Sequence, residues 1–514
     1  MNRTEMPLRA RLAILLITLF GFSFGIWAQQ DGDDVVIGKY RILHSTIMNE
    51  DRLLLVHLPR GYNTDRIRYP VLFHLYGDNI VDYIAPAMIA CGKLGQTGEG
   101  PQMIIVGVVN TNRYRDNLPF NADGSPGGAQ KFARFFQEEL IPFIDRNYRT
   151  KPFRVLAGPQ AGSKFALYVL LASPDLFDLY ITTNPFEGNE RMTQPLLGMA
   201  EELFPKTASL KKFFYYTCEE NEPPGQIESA KRFSSLVERH RPKGLRCTMS
   251  IIKPTGFFIT PVPLLEAMRA FFAEYRLPRD FQSNNLDDVK AYYERLSQEY
   301  GFPVEPPELM LTFEGDKLIQ KGRTDEAIEL FEYHSSLYPS SGNACLRLGE
   351  IYRSRGDYKK ALEYYRQFLA IFPRDADFVV RRVQGIERYM KESAMYLVEM
   401  AIERSGIEAG VRLFEKLRAD PQNRLTFEER DCNTLGYQLL GRGRTEDAIR
   451  IFQLTVKVYP NSANAYDSLG EAYVRAGNRE LAIKAYEKAL AIDPAFPSAI
   501  EALKRLKDPQ GEKK

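Results

Sequence analysis

A 34-residue repeat in the C-terminal part constrains the fold of this 514-residue chain more than any other feature. Four segments place a glycine, an alanine, an aromatic residue and a proline at the same offsets. Periods of this length are typical of helix–turn–helix units that stack into a solenoid. Small residues let the paired helices pack closely, and the proline ends the second helix. The four sets are Gly315, Ala327, Phe331 and Pro339; Gly349, Ala361, Tyr365 and Pro373; Gly436, Ala448, Phe452 and Pro460; and Gly470, Ala482, Tyr486 and Pro494.

These offsets resemble those of the tetratricopeptide (TPR) repeat, which implies an all-α solenoid over residues 308–507. A divergent unit is predicted between the second and third clear units, where Ala409 and Pro421 fit the pattern. Ser498 to Lys507 is predicted to form a capping helix over the last apolar face. The predicted units are 308–341, 342–375, the divergent 390–423, 429–462 and 463–496.

The N-terminus has the composition of a secretory signal peptide. Three arginines, the last of them Arg11, precede an uncharged run from Leu12 to Trp27, and Ala28 offers a cleavage site. We therefore expect residues 1–28 to be removed and the protein to be exported, either to a periplasm or into the medium. The apolar run is shorter than the roughly 20 residues of a membrane-spanning helix, and an uncleaved membrane anchor is the alternative.

Residues 35–276 alternate short β-branched and aromatic runs with longer amphipathic stretches. Buried strands are predicted at Tyr69–Gly77, Met103–Val109 and Arg154–Gly158, and a helix at Ser163–Ala172. Strands that alternate with crossover helices predict an α/β domain with a mostly parallel sheet and helices on both faces. Residues 277–307 are rich in Pro, Asn and charged side chains and are interpreted as a linker around one short helix.

Several segments of this α/β region resemble an esterase family that includes ferric-siderophore esterases, and the resemblance implies the α/β-hydrolase fold. It covers roughly residues 36–276. The segments are His44–Arg52, Tyr69–Leu72, Val106-Gly107 with Asn110–Arg113 and Arg115-Asp116, Glu139–Asp145, and Tyr148–Thr150.

The same resemblance locates the catalytic residues, and two of them are missing. In the pattern Gly-x-Ser-x-Gly the nucleophilic serine lies on a turn between a strand and a helix, and here Gln160 occupies its position between Gly158 and Gly162. A carboxamide has no readily ionisable proton and cannot form an acyl-enzyme. The expected histidine segment, residues 251–263, contains no histidine, and Phe258 or Ile259 takes its place.

Other parts of an esterase site are predicted to survive. Glu219 or Glu220 is the candidate for the acid of the triad. Family members hold the oxyanion with backbone N–H groups, here those of Ala161 and of Gly77 or Asp78, which do not depend on the side chain at position 160. A ligand carbonyl or carboxylate could bind there, or Gln160, Phe257 and Phe258 fill the pocket.

A serine–histidine pair elsewhere is a weaker hypothesis. Ser163 follows the turn, and His74 is its nearest plausible base in the sequence, but we interpret Ser163 as a packing or surface residue. The five histidines are scattered, and the five cysteines show no metal-binding spacing, so we expect no metal, no cofactor and buried free thiols.

The balanced charge of the chain argues against partners that bind through a strong electrostatic field. The 68 Lys and Arg nearly balance the 66 Asp and Glu, so we expect no nucleic-acid binding, and membrane association only through an uncleaved leader.

Two functional hypotheses follow. The first is a non-catalytic, exported esterase-like domain joined to a TPR scaffold that holds a protein or peptide. The alternative is a carboxylic-ester hydrolase with an unrecognised nucleophile or a site completed by a partner. By resemblance to TPR arrays, the first helix of each unit lines the binding groove, with Asn343, Arg353, Asn433, Tyr437, Asn464, Asp467, Glu471 and Arg475 as candidates.

Overall fold

The computed structural model describes residues 36–253, 261–278, 280–373 and 376–507. These residues form two compact units, one ending at Ser341 and the other beginning at Gly342. In the described part of the chain, no helix is both long and apolar enough to cross a bilayer.

The first unit is built on an eight-stranded sheet with the order β1-β2-β4-β3-β5-β6-β7-β8. Strands β1 and β2 pair antiparallel with their neighbours, and all the other pairings are parallel. Every residue of β3 and β4 is buried, as expected for central strands that are covered on both faces. The strands are β1 Lys39–Ser45, β2 Glu50–His57, β3 Tyr69–His74, β4 Ile104–Val108, β5 Thr150–Gly158, β6 Leu179–Thr182, β7 Phe213–Glu219 and β8 Arg246–Ile252.

Helices connect these strands, so the predicted α/β class with a mostly parallel sheet is confirmed. Two π-helical turns, Ile80–Ile84 and Phe136–Leu140, lead into α1 and α4. The helices of this unit are α1 Ala85–Thr97, α2 Arg113–Asn117, α3 Ala129–Phe135, α4 Ile141–Asn147, α5 Ala161–Ala172, α6 Glu190–Leu203, α7 Pro224–His240, α8 Pro261–Phe271, α9 Leu286–Tyr300, α10 Glu308–Gln320 and α11 Thr324–Leu337.

The turn from β5 to α5 requires glycine for steric reasons. A Cβ atom on Gly158 would lie 2.6 Å from the carbonyl oxygen of Gly162 and 2.8 Å from Cδ1 of Leu75. A Cβ atom on Gly162 would lie 3.0 Å from the same Leu75 atom. The two glycines therefore let α5 begin immediately after β5, close to Leu75 at the end of β3.

We expect Gly158→Ala to destabilise the first unit by about 1–3 kcal/mol, because backbone and core atoms must move to accept the methyl group. Gly198→Ala is the matched control, since a Cβ there meets no atom within 4 Å and Gly198 lies inside α6. That control should stabilise the protein by about 0.5–1 kcal/mol. Urea unfolding of both variants measures the difference, and equal stability would contradict the close approach.

Residues 277–341 pack against the sheet domain. The rings of Phe153 and Phe302 lie 4.6 Å apart, and the Lys151 ammonium donates to Glu305. The Ser340 hydroxyl donates to Asp65 at 2.8 Å. The predicted linker and the first predicted repeat are thus parts of the first compact unit.

The second unit consists of helices that pair in chain order. Residues 390–423, the divergent repeat of the sequence analysis, hold α15 and α16, and an additional helix, α14, precedes them. The helices are α12 Gly342–Ser354, α13 Tyr358–Ile371, α14 Asp377–Glu392, α15 Ala394–Ser405, α16 Ile407–Ala419, α17 Glu429–Gly441, α18 Thr445–Val458, α19 Ala463–Arg475, α20 Arg479–Ile492 and α21 Pro497–Lys507.

The periodic glycine and aromatic residues meet inside each helix pair. A Cβ on Gly349 would lie 2.6 Å from the ring of Tyr365, and one on Gly436 would lie 2.5 Å from the ring of Phe452. The residue at the first repeat offset must be small because the aromatic residue sixteen positions later occupies the space. This contact explains why the glycine and the aromatic residue keep the same spacing in each repeat.

A buried ion pair joins α15 to the end of α17. The Glu399 side chain is 1% exposed, and it accepts a hydrogen bond from Arg442 at 3.0 Å. The Tyr358 hydroxyl also donates to this carboxylate at 3.2 Å. Burial raises the pKa of Glu399, and Arg442 opposes that rise.

Arg442→Leu should destabilise the second unit by about 3–5 kcal/mol, because it leaves the Glu399 carboxylate buried without its cation. The stability lost through this substitution should decrease as the pH falls. The raised pKa of Glu399 means that its carboxylate binds a proton more tightly in the folded state than in the unfolded state. Arg450→Leu, which breaks an exposed pair with Glu408, should cost less than about 1 kcal/mol. Thermal unfolding over a pH series tests both, and equal losses would contradict this assignment.

Candidate functional site

Gln160 lies at the tip of the turn between β5 and α5 in a strained conformation. Its φ and ψ are 54° and −124°, which an ordinary L-residue adopts only when the surroundings enforce it. Its backbone N–H donates to the Thr183 hydroxyl at 3.1 Å, and α5 begins at Ala161. This is the sharp strand-to-helix turn that presents the nucleophile of an α/β-hydrolase. The turn after β5 therefore has the conformation of such a turn, with glutamine at its tip.

A cavity of about 250 Å³ opens at this turn. The segment after β3, the segment after β4 and the turn after β5 all contribute to it, and these are the carboxyl ends of three neighbouring parallel strands. Ligand sites of open α/β sheets lie at such ends. The lining residues are Tyr76, Asp78, Asn79, Asp82, Tyr83, Arg113 and Gln160.

The backbone N–H groups predicted for an oxyanion cradle differ in whether they already donate a hydrogen bond within the protein. The Gly77 N–H donates to the carbonyl of Val108 at 3.0 Å and is already used within the sheet. A Cβ on Gly77 would lie 2.4 Å from the carbonyl carbon of Gly107, so glycine here serves close strand packing. Of the two alternatives, Asp78 is left as the donor. Ala161, the first residue of α5, has an N–H without an acceptor inside the helix.

The charged groups of the cavity are held by separate neutral partners. Asp78 Oδ1 accepts from the Asn110 amide at 3.0 Å, and Asp82 Oδ2 accepts from the Asn79 amide at 2.7 Å. The guanidinium of Arg113 lies over the ring of Tyr76, 5.1 Å from its centroid. Sequence reasoning missed Arg113 and Asp82 because neither belongs to the esterase triad; their position just after a buried strand was the available signal.

Ser163 and His74 do not form a catalytic pair. The Ser163 hydroxyl donates to the carbonyl of Gly158 at 2.8 Å and bonds the Thr183 hydroxyl at 2.9 Å, so it is a buried packing residue. His74 is fully buried, and its Nδ1 accepts the Tyr76 N–H at 3.3 Å. Burial lowers the pKa of His74 to about 3.

Glu222 is a half-buried carboxylate three residues beyond the end of β7. It accepts the N–H of Glu219 at 3.0 Å and a hydrogen bond from the Asn184 amide, while the N–H of Glu220 donates to the carbonyl of Ile252. Burial raises the pKa of Glu222. The sequence predicts Glu219 or Glu220 as the acid, because the turn that folds Glu222 back is not visible in the sequence.

The predicted position of the lost histidine, Phe258 or Ile259, lies outside the described residues, as does Phe257. Among the residues that the structure does describe, no group of His, Cys, Asp and Glu is arranged to hold a metal ion. All five cysteines are free, and four of them are buried.

The predicted groove residues lie on the first helices of their pairs, and three of them, Tyr437, Glu471 and Arg475, contact one another. The Tyr437 hydroxyl donates to Ser468 at 3.2 Å and to Glu471 at 3.1 Å, linking α17 to α19. Asn343 is exposed, and the Asn433 side-chain oxygen is buried without a hydrogen bond from any described residue. The other contacts are Arg353 with Glu350, Asn464 with Glu429, Asp467 with Ser498, and Arg475 with Glu471.

Comparison with known proteins agrees with this architecture. Residues 45–189 match the family described as "Putative esterase", and residues 314–376 and 431–495 match two tetratricopeptide repeat families. The first unit carries an esterase-family domain, and the C-terminal helices are tetratricopeptide repeats.

Individual relatives match only part of the chain. Ferri-bacillibactin esterase BesA of Bacillus subtilis (strain 168) is 33% identical over 138 residues, which are 23% of this chain and 47% of BesA. The chain thus matches about half the length of this curated relative. An IroE-like serine hydrolase from Shewanella oneidensis is 24% identical with a TM-score of 0.49, covering 57% of this chain and 98% of its own. The BES protein from Bacillus cereus is 19% identical with a TM-score of 0.40, covering 47% and 98%.

The strain at the turn of this esterase-family domain can be measured. Gln160→Gly should be more stable than Gln160→Ala by about 1 kcal/mol, because glycine adopts a positive φ without steric cost whereas alanine does not. Both variants lose the same polar group, so the difference isolates the backbone. Differential scanning calorimetry provides the comparison, and an alanine variant as stable as the glycine variant would mean that residue 160 is unstrained.

Proposed function

We propose that this protein is an exported, non-catalytic member of the esterase fold whose TPR helices hold a protein or peptide partner. The observation that carries the proposal is the side chain at the tip of the turn: Gln160 occupies the strained position from which an α/β-hydrolase attacks its substrate. The leader sequence supports export, and the repeats support a scaffold role, since TPR arrays generally mediate protein–protein interaction.

The chemistry of the neighbouring groups supports the absence of turnover. A glutamine amide nitrogen has a delocalised lone pair and is a poor nucleophile at neutral pH. His74 is buried and hydrogen-bonds a backbone N–H, so it is not available as a base for Gln160 or Ser163. A carboxylate such as Glu222 has no catalytic role of the triad type without an imidazole to orient.

Ester hydrolysis tests this proposal. We expect purified protein to hydrolyse p-nitrophenyl acetate no faster than the Gln160→Ala and Ser163→Ala variants do, because no side chain at the turn forms an acyl-enzyme. Turnover that Ser163→Ala abolishes and Gln160→Ala preserves would support the alternative, a hydrolase with an unrecognised nucleophile. Turnover that appears only after cell-envelope extract is added, and that depends on Gln160, would support a site completed by a partner.

The scaffold role is tested by site-specific photo-crosslinking in cells. A benzoylphenylalanine at Tyr437, on the first helix of its pair, should crosslink to a partner protein. Benzoylphenylalanine in place of Lys484, which is exposed on the second helix α20, should not crosslink to that partner. Equal crosslinking at both positions would contradict a partner held by the first helices.

A further inference from the structure

We infer that the cavity at the Gln160 turn binds an α-amino acid in its zwitterionic form. Asp78 and Asp82 would face the ammonium group, and Arg113 together with the Gln160 amide would face the carboxylate. The inference rests on the proposed function, because a site without chemistry is free to act as a binding site. It depends on four side chains that line one cavity of about 250 Å³.

Both carboxylates of the cavity have neutral hydrogen-bond partners. Asp78 and Asp82 accept hydrogen bonds from the side-chain amides of Asn110 and Asn79. Neither forms an ion pair with any of the described residues. The Asn79 side chain also accepts the N–H of Asp82, which fixes that carboxylate at the start of the turn Ile80–Ile84.

The cation of the cavity is likewise unpaired. Arg113 is half-buried and lies over Tyr76, and no carboxylate of the described chain lies within ion-pair distance of it. One cation and two anions, each contacting a neutral partner, thus line the same cavity. A ligand that carries both charges can satisfy both sets, whereas a simple anion would also meet two carboxylates and a simple cation would also meet Arg113.

The volume of the cavity and the two tyrosine rings that line it indicate a small ligand with an apolar side chain. Its volume is below the roughly 300–1,000 Å³ of sites for drug-sized molecules. The rings of Tyr76 and Tyr83 lie 5.2 Å apart in its wall. Both rings line the cavity and offer apolar contact to a ligand side chain. L-Phenylalanine is therefore a suitable probe.

The test is isothermal titration calorimetry of the full-length protein with L-phenylalanine and two analogues. L-Phenylalaninamide lacks the carboxylate, and N-acetyl-L-phenylalanine lacks the ammonium group. We expect L-phenylalanine to bind with a Kd of about 1 mM or tighter, and each analogue to bind at least about tenfold more weakly. An analogue that binds as tightly as L-phenylalanine, or no binding by any of the three, would overturn the inference.

Two variants test which side chain contacts the ammonium group of the ligand and which contacts its carboxylate. Asp82→Asn should weaken L-phenylalanine binding at least about tenfold and spare N-acetyl-L-phenylalanine, while Arg113→Gln should weaken both. Arg134→Gln, which removes an exposed cation paired with Glu138, is the control and should bind as the wild type does. Unaltered binding in both cavity variants would contradict this site. Ester turnover is measured separately, so its appearance would refute the non-catalytic proposal whether or not phenylalanine binds.

Discussion

The close approach of α5 to the sheet determines the geometry of the whole site. A Cβ atom on Gly158 would collide with the backbone of Gly162 and with Leu75, and one on Gly162 would crowd Leu75. Because both residues are glycine, the helix can begin immediately after β5. Gln160, the residue before α5, has a positive φ and lines the cavity at the carboxyl ends of the parallel strands. The residue at the tip of this sterically constrained turn is a glutamine.

The sequence was sufficient to predict the fold because the relevant signals are local. Buried runs such as Tyr69–Gly77, the glycines around Gln160 and the repeat offsets each report a short-range requirement, and all of them have counterparts in the structure. The contents of the cavity could not be predicted in the same way. Arg113 and Asp82 come from segments that follow different strands, and the sheet order brings both to the same cavity.

The same contrast applies to the acid and to the repeats. Glu222 lies three residues beyond β7, and a turn that the sequence does not signal folds it back onto the N–H of Glu219. The first helical hairpin, α10 and α11, fits the repeat pattern but belongs to the compact unit of the sheet domain, because contacts such as Ser340 with Asp65 bind it there. Sequence periodicity predicts a helix pair without showing what that pair packs against.

We propose that this esterase-family domain has the turn of a nucleophile but no nucleophile on it. Intact-mass spectrometry after incubation with a fluorophosphonate probe tests it most directly, since the probe modifies only an activated serine. The account predicts an unchanged mass for the wild-type protein and for Ser163→Ala. A wild-type protein that gains the mass of one probe, with the adduct mapped to any residue of the cavity or of α5, would contradict it.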